Sequence, residues 1–199
     1  MMAGERAPAA LQGGVAVLER SIAYALGSLA MVTPEALARP TPCRHWNLHD
    51  LLEHLHDSMA ALQEAVEVGR IACAPGPAVE VPRPAGAVIP LVRDQAVRLL
   101  GAWANANGSV AVCVEDELVT TPLIAGAGAI EVAVHGWDVA EACGQHRPIP
   151  DELADELLDL SVLFIRGWDR PARFARPIAV PANAPPGDRL VAFLGRQPS

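Results

Sequence analysis

The sequence predicts an all-α dominated fold: a helical bundle with a small irregular or β segment and extra carboxy-terminal helices. Three observations predict it. Apolar residues recur at helical spacing in several long stretches, and proline-rich connections separate those stretches. Four substantial helices fall before residue 145, with connections long enough for a bundle. One of them, residues 122–143, is apolar around nearly its whole circumference, and such a helix is normally buried.

A first helix is expected over residues 10–31, where Leu11, Val15, Val17, Leu18, Ile22 and Leu26 supply the apolar positions. Pro34, Pro40 and Pro42 then hold an extended connection. Asn47 and Asp50 form a capping arrangement that opens a second helix running to about Val68. The stretch from Gly69 to Pro90 is rich in proline and reads as a long loop. A third helix follows over residues 90–105. Residues Ser109–Thr120 are β-rich, as a short hairpin or an extended crossing segment. The buried helix comes next and stops near Gly144, a glycine placed to end it.

Pro150, Asp151 and Glu152 start an amphipathic fifth helix to about Arg166, with acids in the first turn as the helix dipole prefers. The tail from Pro171 to Ser199 holds an apolar Pro-Ile-Ala-Val-Pro stretch and a short helix around Asp188–Leu194. Residues 1–145 are assigned to the bundle, and residues 146–199 to a helix and extension packed on it within the same domain. No internal repeat is found.

Composition restricts function. A chain of 199 residues is large enough for a real core. Apolar residues make up 51% and the mean hydropathy is +0.24, yet no run long enough to span a membrane lacks a charge. The amino terminus shows no basic start and apolar run of a signal peptide. A formal charge of −8 disfavours nucleic acid and anionic membranes as partners. The expected location is the cytoplasm. Cys43, Cys73, Cys113 and Cys143 form no Cys-x-x-Cys pair, which speaks against a zinc ribbon and fits reduced thiols. Cys43 draws notice because it lies just upstream of the second helix.

The buried helix carries an anomaly. Glu131, His135 and Asp138 fall within about 60° of one another on its surface, while the residues around them are Ala, Val, Ile, Gly and Trp. A buried carboxylate needs a hydrogen-bonded partner or a metal, because leaving it unpaired costs several kcal/mol. The second helix offers a partner. Its His49 and His56 share a face with Glu53, Gln63, Glu64 and Glu67, whereas His54 points among Leu51, Ser58, Ala61, Leu62 and Ala65. His54, Glu131 and His135 would then make two imidazoles and one carboxylate around an ion with an open position. Asp138, one turn beyond His135, would orient a ligand or handle a proton. A hydrogen-bonded His54–Glu131 network without metal is the competing reading.

Two blocks carry a resemblance. Thr41-Pro42-Cys43-Arg44-His45-Trp46-Asn47-Leu48-His49-Asp50-Leu51-Leu52-Glu53-His54-Leu55 resembles the Thr-Pro-Cys-x-x-Trp-x-x-x-Asp-Leu-x-x-His-Leu segment of the mycothiol-dependent maleylpyruvate isomerase-like proteins of actinobacteria. These belong to the DinB/YfiT-like metalloenzyme superfamily. Glu131 through Ala140 is similar to that family's Glu-x-x-x-His-x-Trp-Asp-x-Ala block, and the tail from Ala184 to Arg196 looks like the ending of its short members.

The resemblance implies a DinB-like up-down-down-up four-helix bundle with one divalent ion, zinc or nickel, held by His54, Glu131 and His135. It places Asp138 beside the metal as the catalytic residue. It also implies mycothiol or another low-molecular-weight thiol as cofactor, activated by the metal to add to a small electrophile in a transferase or isomerase-like reaction. A non-catalytic metal- or ligand-binding bundle is the alternative, and the apolar content leaves room for a homodimer. The chain departs from the pattern at Arg44-His45, where the family carries Pro-Gly, and at Leu48-His49, where it carries Val-Arg. The segment after Gly144 is also shorter than the carboxy-terminal domain of the full-length isomerase. Arg93 and Arg98 are candidates to meet carboxylates of a thiol cofactor, with an ordinary surface role as the competing reading.

Overall fold

A computed structural model describes residues 13–43, 45–71, 85–104, 111–114, 117–165, 170 and 174–198. Four helices form the bundle: α1 (Gly14–Leu29), α2 (Leu48–Val68), α3 (Val88–Ala104) and α4 (Thr121–Ala142). Two more follow, α5 (Asp151–Phe164) and α6 (Pro186–Phe193). Close approaches fix the directions. Gly14 lies against Pro122 and Gly136 against Ala25, so α1 and α4 run parallel. Leu62 meets Gly128 while His54 meets Glu131, so α2 runs antiparallel to α4. Arg93, near the start of α3, donates to the Leu29 carbonyl at the end of α1, 2.6 Å away. The order is therefore up-down-down-up.

Local chemistry sets the boundaries. Asn47 accepts from the Asp50 amide at 3.0 Å while Asp50 accepts from the Asn47 amide at 3.2 Å, a complete capping box that starts α2. Helix α3 begins two residues earlier than expected because Pro90 is tolerated in a first turn, where its missing N–H is not needed. A 3-10 turn, Ala85–Ala87, leads into it. Residues 10–12 of the expected first helix, Cys73, most of the proline-rich stretch and the end of the expected fifth helix lie outside the described residues.

The β-rich segment is a hairpin: β2 (Ala111–Val114) pairs antiparallel with β3 (Glu117–Thr120), Val112 opposite Val119. A strand of two residues that the sequence did not suggest, β1 (Arg70–Ile71), adds in parallel to β2 with Arg70 opposite Cys113. Helix α4 is the centre of the molecule. Its length and apolar content would allow it to cross a membrane, but 83% of its apolar window is buried inside the protein, as a core helix requires. It stops with Gly144 at φ 72°, the predicted place. Helix α5 packs on α4 and α1, and α6 packs on α5, so the tail returns to the end of the bundle that holds the polar stripe.

Candidate metal centre

The stripe predicted on α4 is present, and its members differ sharply in exposure. Asp138 is fully buried and His135 nearly so, whereas the Glu131 side chain keeps 32% of its surface open. From α2, His54 reaches across so that its Nε2 lies 2.6 Å from Glu131 Oε1. His135 Nε2 lies 3.2 Å from the same oxygen. One ligand atom from each of the three residues falls within 4.8 Å of the other two. Ser58, one turn along α2 from His54, donates to Glu131 Oε1 at 3.2 Å and orients it. The Trp46 ring packs on His54 with centroids 4.6 Å apart.

The other nitrogen of His135 faces a second set. Its Nδ1 lies 2.9 Å from Asp138 Oδ2 and 3.8 Å from Cys43 Sγ, and the thiol lies 3.2 Å from the same carboxylate oxygen. Arg196, from the segment after α6, closes this side: its Nη2 donates to Asp138 Oδ2 at 3.0 Å and to Cys43 Sγ at 3.2 Å. Cys43 and Asp138 address one and the same nitrogen. A nucleophile–base–carboxylate relay needs them on opposite nitrogens, so this is not a catalytic triad.

Electrostatics support the arrangement. Burial penalises the Glu131 carboxylate, but His135 and His54 beside it more than offset this and hold its carboxyl well below the ordinary range. Burial likewise opposes charge on His135, yet Glu131 and Asp138 together push it well above the usual imidazole value. Asp138 is buried too, and Arg196 and His135 keep it ionised. Two imidazole nitrogens and a carboxylate oxygen converging from two helices suit a divalent ion, with the second nitrogen of His135 fixed by a carboxylate as metal-bound histidines commonly are.

The set opens into a cavity of about 920 Å³. Cys43, His45, His54, Glu131, His135 and Arg196 form its polar end. Ile130, Val134, Phe164, Ile165 and Phe174 line the apolar side. His45 stands in the left-handed region at φ 75°, where a non-glycine residue costs about 1–2 kcal/mol. Trp137, one residue from Asp138, is a core residue.

Other predicted residues lie elsewhere. His49 and His56 pair with neighbouring Glu53 and Asp57 and are partly covered rather than fully solvated. His146 is exposed. Arg93 caps α1 and Arg98 donates to Gln95 at 2.7 Å, and neither lines the cavity. The sequence named Ser58 only as a neighbour of His54 and Arg196 only as the end of the tail block, gave neither a role at the site, and did not point to the phenylalanine wall.

No solved structure matches the chain. Two proteins of Mycobacterium tuberculosis, "Uncharacterized protein MT0763" of strain CDC 1551 / Oshkosh and "Uncharacterized protein Rv0738" of strain ATCC 25618 / H37Rv, are each 33% identical to it over 175 residues. Those alignments cover 84% of this chain and 89% of each relative. The profile of the Mycothiol maleylpyruvate isomerase N-terminal domain matches residues 18–140, which run from α1 through the His135–Asp138 turn of α4. With more than half of its length matched and the stripe inside the match, the chain belongs to the mycothiol maleylpyruvate isomerase N-terminal domain family.

Proposed function

We propose that this protein is a cytoplasmic metal-dependent thiol transferase, or a related isomerase-like enzyme, in which His54, Glu131 and His135 hold one divalent ion. The observation that carries the reading is the convergence of those three ligand atoms at the polar end of a cavity. A zinc or nickel ion there would supply Lewis acidity and draw a small thiol such as mycothiol into its thiolate form at neutral pH. The residues do the rest. Asp138 fixes the ring of His135 and keeps Nε2 directed at the ligand cluster. Trp46 and Ser58 restrict His54 and Glu131 to one arrangement. The wall of Ile130, Phe164 and Phe174 gives an uncharged part of the electrophile a surface to lie on.

The test has two steps. Elemental analysis of purified protein should find about one divalent ion per chain, and His54→Ala or His135→Ala should lose it. Incubation of the loaded protein with mycothiol and a panel of electrophiles should then consume thiol faster than buffer does. A fully folded protein that takes up no metal contradicts the reading. Metal without thiol consumption favours the non-catalytic binder.

A further inference from the structure

His135 is shared by two donor sets that use opposite ring nitrogens. Through Nε2 it joins His54 and Glu131; through Nδ1 it joins Cys43 and Asp138. Both sets bring three ligand atoms to within 4.8 Å, and the second contains a thiol, the softer and usually preferred donor for zinc. Donor chemistry alone therefore does not favour the first set. The guanidinium of Arg196 makes the difference: its Nη2 already sits between Cys43 Sγ and Asp138 Oδ2, at 3.2 and 3.0 Å.

The local fold delivers that cation. Helix α6 ends in a Schellman motif, with the Gly195 amide donating to Ala192 and the Arg196 amide donating to Val191, 3.0 and 2.9 Å away. Gly195 takes φ 82°, and a Cβ there would stand 2.7 Å from Ala175, so neither the turn nor the packing accepts a side chain. The next residue is thereby turned inward. Arg196 is only 10% exposed, and its Nη1 donates to the Leu194 carbonyl at 3.1 Å, which leaves the fork few alternatives.

We propose that Arg196 selects the metal-binding side of His135: its guanidinium occupies the Cys43–Asp138 set and so restricts the ion to the His54–Glu131 side. It is a positioning residue and acts through Asp138 and His135. This rests on the proposed metal centre. The carboxy-terminal segment is then part of the site, although it lies outside the residues that define the family.

Cobalt(II) titration of the metal-free protein reads the choice directly, since a thiolate ligand adds a charge-transfer band in the near ultraviolet. The wild-type protein should bind one cobalt without that band. Arg196→Met should weaken binding about 10- to 100-fold at the original set and gain the band, which the added substitution Cys43→Ser should remove. Arg196→Lys, which keeps a cation in place, should retain the wild-type spectrum, and Arg196→Gln replaces the methionine variant if that one fails to fold. Wild-type affinity and an unchanged spectrum in Arg196→Met or Arg196→Gln would overturn the proposal while leaving the metal centre intact. No cobalt binding by the wild-type protein would remove the metal centre itself, and the selection with it.

Discussion

Helix α4 meets its two neighbours in different ways. Against α1 it presents small residues: Gly136 lies so close to Ala25 that an added Cβ would stand 3.0 Å from the Ala25 Cα. Against α2 it presents Glu131 and His135 to His54, with Gly128 taking the Leu62 side chain farther along, so side chains of α2 rather than its backbone make the contact. The close face lets the two backbones hold α4 in register, while the polar face brings three ligand atoms within 4.8 Å of one another beside a cavity. Adjacent positions, 135 and 136, serve the two faces. A rigid mount on one side keeps the histidine on the other side aimed, which is what a preformed site requires.

Substitutions on the two faces should separate mount from site. The largest effect belongs to Asp138→Ala, which leaves Arg196 buried without its partner. Removing one member of a buried pair costs about 3–5 kcal/mol, read by denaturant unfolding in chelator. Gly136→Val comes next, with about 1–3 kcal/mol lost to overpacking against α1 and weakened metal binding, since His135 moves with its neighbour. Were it to destabilise the fold and leave metal affinity unchanged, the coupling of the two faces would be wrong.

The polar face should also carry the pH dependence, with opposite signs in the two states. In chelator, the raised value of His135 gives stability that is fully present below its unfolded value of 6.5 and is lost as pH rises through the folded value. The lowered carboxyls of Glu131 and Asp138 give stability present above the ordinary carboxylate range and lost as pH falls through their folded values. Metal affinity runs the other way on the alkaline side. Protons and metal compete for His135, so affinity should rise about tenfold per pH unit until His135 is neutral. Thermal unfolding against pH, with and without zinc, reads both. The smallest expected effect is at the cavity rim: His45→Gly relieves a left-handed backbone and should stabilise by less than about 1 kcal/mol without altering metal affinity.

The parts of this comparison were unequally legible in the sequence. The polar stripe and His54 could be found because helical periodicity is local, and a charged group on an apolar helix stands out against it. The capping box at Asn47 and the end of α4 at Gly144 were legible for the same reason. Arg196 could not be placed that way, because its contacts with Asp138 and Cys43 span 58 and 153 residues. Only the return of α6 over α5 brings it there. The strand Arg70–Ile71 was hidden by its length, two residues in a proline-rich stretch. Cys43 was noticed for its position before α2, but its neighbours came from α4 and the tail.

X-ray absorption at the zinc edge, before and after addition of a small thiol, tests the centre most directly. The account predicts two imidazoles and oxygen donors around zinc in the resting protein, with no sulfur scatterer. A single sulfur at about 2.3 Å should appear when the thiol is added. Sulfur in the first coordination sphere before any thiol is present would mean that Cys43 is a ligand, and would contradict the assignment of His54, Glu131 and His135.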